Sequence, residues 1–278
     1  MALTMFLLFG LYVVFVGVLT LYFENLLIPV VLLGSFSLVQ YFFSDKLALR
    51  SMGATRVEPS EYPGLHDQVG RLSQQADLPK PDVAVADSRT PNAFATGRSP
   101  DSAVVCVTTG LLEALDDEEL EGVLAHELAH VKNRDVAVMT IASFLSTIAF
   151  LVVRFGWLFG GRNRNGAPVI VAIVVSLVVW VVSFLLIRAL SRYREFAADR
   201  GAATITGRPS ALASALATIS GRMDRVPEED LREQAEMNAF FIIPISTGIV
   251  GRLARTHPPT EKRIERLREL EREMETAT

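Results

Sequence analysis

Cysteine is almost missing from this 278-residue chain: Cys106 stands alone, so no disulfide can form within it and an oxidising compartment is not indicated. Histidine is also scarce, at four residues, which makes any cluster of them worth attention. Charge of one sign is weak as well. The net charge is -4, and the basic residues are dispersed rather than interleaved with aromatics, which argues against a nucleic-acid partner. There is no internal repeat and no low-complexity segment. Cys106 lies in an apolar run, Ser102-Ala-Val-Val-Cys-Val-Thr, that reads as a buried strand, so it is weighed as a small core residue rather than a nucleophile.

What the chain has in abundance is uninterrupted apolar sequence. Half of its residues are hydrophobic, and they gather in four blocks long enough to cross a bilayer, for which about 20 residues are needed. The blocks run from Met1 to Phe23, from Leu26 to Phe43, from about Val136 to Val153 and from Ala167 to Ile187. The first could be a cleaved signal peptide, but it has no basic leader and no small-residue cleavage site ahead of the next block. The last two could be a pair of buried core helices, although a soluble domain of this size rarely needs two so long. The sequence thus divides into 1–43 with two spans, 44–135, 136–187 with two more spans, and 188–278. Lys46, Arg50 and Arg56, then Lys132 and Arg134, then Arg188, Arg192 and Arg194 flank the blocks on one side. Arg162 and Arg164 oppose them without reversing the bias, so the polar segments are expected in the cytoplasm. Those segments read as a helix over Tyr62–Ala76, strands near Val83 and over Ala103–Val107, a helix from Asp116, and a closing charged helix over Thr260–Glu275 taken as a solvated face.

One short segment carries chemistry: Leu120-Glu-Gly-Val-Leu-Ala-His126-Glu127-Leu-Ala-His130-Val. On a helix capped at Asp116 or Asp117, His126 and His130 project from one face a turn apart and can share a tetrahedral Zn²⁺. Glu127 sits at the edge of that face, where it could take a proton from a water at the metal without being a ligand. At this chain's His and Glu frequencies such a spacing arises by chance in roughly half a percent of sequences. The alternative is two ordinary helix histidines around a surface glutamate. A catalytic zinc needs a third protein ligand, and Glu195 is the best candidate, because two expected crossings after His130 return it to the same side. Asp199 lies four residues on, on the same helix face, where it could accept a hydrogen bond from the second nitrogen of a ligand histidine.

These motifs, together with Pro91-Asn92-Ala93-Phe94-Ala-Thr-Gly97, Val107-Thr-Thr-Gly-Leu-Leu112, Arg194-Glu195-Phe-Ala-Ala-Asp199 and Thr256-His257-Pro-Pro-Thr260, make the sequence resemble HtpX-type membrane zinc metalloproteases. That family is related to CAAX prenyl endopeptidases and more distantly to thermolysin-like enzymes. The resemblance implies a mainly α membrane protein (α+β), in which four transmembrane helices carry a thermolysin-like zincin domain with a small β-sheet. It implies one Zn²⁺ per subunit on His126, His130 and Glu195, with Glu127 as catalytic base. It further implies polypeptide substrates such as misfolded membrane proteins, a multi-pass position in the cell membrane, and cytoplasmic quality control. Asn92, Ala93 and Phe94 are either a polar turn entering a strand or an edge strand to which an extended substrate adds; the resemblance favours the second. His257 is either a core or capping histidine or a donor to the oxyanion. Rival readings remain a zinc transporter, a non-catalytic scaffold and a prenyl-protein endopeptidase. Against the first, no expected span contains a histidine or an acidic residue.

Overall fold

The structure, a computed structural model, describes residues 2–22, 35, 38, 41–159, 167–223 and 258–277. The second apolar block, expected over Leu26–Phe43, lies mostly outside the described residues. The chain divides into two units, residues 1–42 with 137–193 and residues 43–136 with 194–278.

The first unit is helical, because its sequence is apolar all round and satisfies its backbone internally. It contains α1 (Ala2–Tyr22) and most of a helix, called α6 below, at Asp135–Phe159, together with the first part of α7 (Ala167–Thr206). Phe15, Ala149 and Val179 pack into one cluster, and Leu8, Tyr12, Ala142 and Leu190 into a second. The Tyr12 hydroxyl donates to the Ala142 carbonyl at 2.7 Å. On α7 the residues Ile170, Val174, Val178, Val181 and Leu185 recur at helical spacing and are all exposed. Among the described residues, Ile173–Thr206 is the one helical stretch long and apolar enough to cross a membrane; Leu3–Phe15 and Asp135–Phe144 are shorter apolar helices.

The second unit is built on a mixed sheet of β1 (Ala54–Arg56), β2 (Asp82–Ala86), β3 (Ala93–Thr96) and β4 (Val104–Thr108) in the order β1-β2-β4-β3. β2 and β4 run parallel with Asp82 opposite Val104; β1 and β3 are antiparallel edges, and Phe94 stands opposite Cys106. The sheet is covered on both faces, which is why β2 and β4 read as continuous apolar runs instead of alternating. Val83, Val85, Val105 and Val107 face the main core, while Ala84, Ala86, Phe94, Val104 and Cys106 face α2 (Ser44–Ser51) through Ala48 and Leu49. Cys106 is therefore a core residue, and burial pushes its thiol up to about 12. The expected strands near Val83 and Cys106 are present, whereas β1, at three residues, gave no periodic signal.

The main core is closed by α3 (Pro63–Gln75), α5 (Asp117–Lys132), α8 (Pro209–Met223) and α9 (Thr260–Ala277), with the one-turn α4 (Thr109–Leu112) after β4. α5 starts where it does because of a capping box: the Asp116 carboxylate accepts from Glu119 N–H at 2.8 Å, and the Glu119 carboxylate accepts from Asp116 N–H at 3.3 Å. Three acidic residues in the first turn complement the helix dipole. From Glu119 to Ala129 every residue of α5 is buried. At Gly110 and Gly122 backbone approaches too closely for a side chain: a Cβ would lie 2.2 Å from the Arg89 carbonyl oxygen and 2.7 Å from Leu212 N, respectively. Gly122 thus sets the distance between α5 and α8. Gly122→Ala should force these helices apart and lower stability by about 1–3 kcal/mol, read as a drop in the thermal midpoint of the detergent-solubilised chain. A midpoint equal to that of the parent would show that the helices can part without penalty.

Candidate metal centre

α5 contributes His126, Glu127 and His130; the polar end of α7 contributes Arg194, Glu195 and Asp199. Helical spacing of four brings the two imidazoles together edge to face, with ring centroids 4.7 Å apart. Their Nε2 atoms stand 3.2 Å from one another. Glu195 reaches in from α7 with Oε2 3.7 Å from His126 Nε2 and Oε1 3.6 Å from His130 Nε2. Among the described residues, His126, His130 and Glu195 are the one group of such donors within 4.8 Å of each other.

The donor set suits zinc. Two nitrogens bound tetrahedrally at about 2.0–2.1 Å stand about 3.3–3.4 Å apart, close to the spacing seen between the imidazoles. Two nitrogens and one carboxylate leave a fourth position open, as a catalytic rather than a structural site requires. Charge points the same way. Glu127, Asp135, Glu195 and Asp199 are all buried, and Arg194 and Arg263 are the guanidiniums packed against them. Among the described residues, four carboxylates against two guanidiniums leave a deficit that a divalent cation balances.

Each imidazole is held from behind. His126 Nδ1 is 3.0 Å from Asp199 Oδ1, and His130 Nδ1 is 2.6 Å from Asp135 Oδ2. Each aspartate is in turn held by an arginine. Arg194 Nε is 2.9 Å from Asp135 Oδ1, and Arg263 donates from Nε to Asp199 Oδ2 at 3.0 Å and from Nη2 to Oδ1 at 2.7 Å. The Asp135 hydrogen bond at His130 Nδ1 fixes the tautomer that turns Nε2 forward, and at His126 the Asp199 charge beside Nδ1 favours the same arrangement. Burial alone would raise the Asp199 carboxyl, but the Arg263 charge and the His126 contact outweigh it and hold it below the usual range. Burial likewise opposes ionisation of Asp135, and the His130 and Arg194 partners reverse the shift. For His126, burial and the Arg263 charge depress the pKa, yet the Asp199 and Glu195 carboxylates push it up to about 9. Protons and a metal therefore compete for the same nitrogen, and metal affinity must fall as the solution is acidified.

Glu127 is buried beside this group, and burial raises its pKa against the opposing pull of the two histidines. Its Oε2 accepts the Ala95 N–H of edge strand β3 at 2.8 Å. That contact links β3 directly to the site. Asn92, Ala93 and Phe94 are buried as whole residues, backbone included, at 0, 1 and 4% exposure. Asn92 is tied down by Thr108, whose N–H donates to the Asn92 carbonyl and whose Oγ1 accepts the Asn92 N–H, both at 2.9 Å. His257 lies outside the described residues.

Two residues at the centre escaped the sequence reading. Asp135 was treated only as a boundary before an apolar block, although an acidic residue five places past His130 is a findable signal. Arg263 was placed on a solvated face; the structure corrects this, since its side chain is 2% exposed and points at Asp199. Arg263 and Leu267 are buried and Ile264 is half-buried on the inward face of α9, but a charged side chain among other charged residues reads in sequence as part of the solvated face.

With this geometry in view, the relatives are informative. The family model described as Peptidase family M48 matches residues 59–271. "Protease HtpX homolog 2" of Methanosarcina acetivorans is 56% identical over 279 residues, covering 99% of this chain and 95% of that protein. "Protease HtpX homolog 1" of Streptomyces coelicolor is 52% identical over 281 residues, covering 99% and 92%. The crystal structure of S. mikatae Ste24p matches with a TM-score of 0.56 at 19% identity, over 93% of this chain and 62% of that one. At that identity the likeness is one of fold, and this chain spans under two thirds of the larger protein's length.

Glu195→Ala should lower bound zinc below one ion per chain, as measured by elemental analysis of the purified protein. A full complement of metal in that variant would remove Glu195 from the site.

Proposed function

The chain belongs to peptidase family M48, and on that premise we propose that it is a membrane zinc endopeptidase using His126, His130 and Glu195 as ligands and Glu127 as general base. The observation that carries this reading is the convergence of the two imidazole Nε2 atoms, 3.2 Å apart, with the two oxygens of the Glu195 carboxylate, 3.6 and 3.7 Å from them, and the buried Glu127 carboxylate alongside.

Zinc, when bound, would supply the Lewis acidity that lowers the pKa of a water toward neutrality and polarises the substrate carbonyl. Glu127 accepts the proton from the attacking water and later delivers it to the departing amine. Burial raises the carboxyl pKa above that of a free glutamate, which favours holding the transferred proton. Asp199 and Asp135 hold the two imidazoles in the tautomer that presents Nε2. An extended polypeptide would lie along β3 and pair with its backbone edge, the edge whose Ala95 N–H meets Glu127. Such pairing reads backbone rather than side chains, which suits unfolded segments of many sequences. His257 is the candidate donor to the oxyanion.

The four apolar blocks and the exposed apolar stripe on α7 support a multi-pass membrane protein. His130 and Glu195 meet although two apolar helices separate them in the chain, which supports an even number of crossings between them. The flanking Lys and Arg residues favour the cytoplasm for the centre, and the family resemblance implies misfolded membrane proteins as substrates in a quality-control role.

Incubation of the purified chain with an unfolded protein, with and without a zinc chelator, tests the reading: fragments should appear only with metal present. Glu127→Gln should keep its zinc and lose about 100-fold or more in cleavage rate. Cleavage that survives chelation, or a variant as active as its parent, would sink the proposal.

A further inference from the structure

Arg263 has no part in the chemistry above, yet it is among the most deeply buried large side chains described. Its guanidinium makes a two-point contact with the Asp199 carboxylate, at 3.0 and 2.7 Å. It also stands 3.3 Å from Glu195 Oε2 through Nη1, and 3.3 Å from His126 Nε2 through Nη2. One planar group therefore touches a metal-ligand carboxylate, a metal-ligand imidazole and the aspartate behind that imidazole.

Anchoring α9 does not require it. Leu267 of α9 is buried in the main core, Glu271 accepts from Ser210 N–H at 2.7 Å and from its hydroxyl at 2.9 Å, and Arg266 stacks 3.9 Å over the Phe196 ring. An apolar side chain at 263 would dock the same helix without the desolvation penalty of a buried guanidinium. The carboxylates that Arg263 orients offset that penalty. A guanidinium, unlike an ammonium, fixes both the position and the plane of a carboxylate.

We propose that Arg263 is a positioning residue of the metal centre, locking the Asp199 plane so that His126 keeps its Nδ1 proton facing back and its Nε2 facing the metal. The inference rests on the metallopeptidase reading. It makes the carboxy-terminal helix part of the catalytic apparatus, in parallel with the shorter chain from Arg194 through Asp135 to His130.

The test is zinc affinity of the full-length, detergent-purified chain, measured by competition with a chelating indicator, alongside the thermal midpoint. Arg263→Lys, which keeps the charge but not the fork, should weaken zinc binding about 10-fold, and Arg263→Met up to about 100-fold. In an Asp199→Asn background, Arg263→Lys should change affinity by less than about twofold, because the route through Asp199 is already broken. Unchanged affinity in Arg263→Lys, or full losses that add to those of Asp199→Asn, would overturn the assignment. So would unfolding of Arg263→Lys while Asp199→Asn remains folded, which would make the residue structural. Absence of zinc binding by the parent chain would instead defeat the metallopeptidase reading itself.

Discussion

Burying ionised groups is unfavourable unless every charge finds a partner, and the second unit is organised around that constraint. Glu127, Asp135, Glu195 and Asp199 are all nearly inaccessible to solvent, beside a core made mainly of Leu, Val and Ala. Water cannot compensate them there. Two arginines and two histidines do so in part, and the residual negative charge defines an environment that attracts a divalent cation. The same low polarity that makes the group expensive makes it effective, since an ion held there acts on a substrate with little screening.

Geometry around that charge is enforced by packing that is itself apolar or capped. Asp116 starts α5 in one register, so that His126 and His130 face α7 instead of the sheet. Glu119 does double duty: it completes the capping box and also accepts from the hydroxyls of Ser214 and Thr218 at 2.6 and 2.9 Å, tying α5 to α8. Thr108 knits β4, the Asn92 turn and the start of α4 into one hydrogen-bonded corner, which presents β3 as an edge. An unpaired edge is usually a liability for association with other strands. Here one of its N–H groups is satisfied by Glu127, so this edge also orients that carboxylate.

The first unit obeys a different solvent logic. Its helices pack through Phe15, Ala149 and Val179 on one side and leave Ile170, Val174, Val178 and Leu185 uncovered on the other. In water such a stripe would drive association; in hydrocarbon it needs no cover. α7 joins the two regimes in a single run of 40 residues, apolar in its first half and then carrying Arg194, Glu195 and Asp199.

Much of this was decided by short-range pattern. The spacing of His126 and His130, the cap at Asp116, the apolar blocks and the unbroken runs of β2 and β4 are local properties, legible because helix and strand periodicities map neighbours in sequence onto one face. Glu195 and Asp199 could be nominated from their four-residue spacing and from counting apolar blocks, but not measured against a histidine. Other features exist only once distant segments meet. β1 is too short to carry a period, the edge position of β3 depends on strand order, and Asp135 and Arg263 acquire their partners across the fold. Arg263 is the clearest case, because charged residues surround it in sequence and its buried partner lies 64 positions away. Whether a charge is solvated or buried is a property of the assembled tertiary structure, since it depends on what the opposing helix brings to the same point.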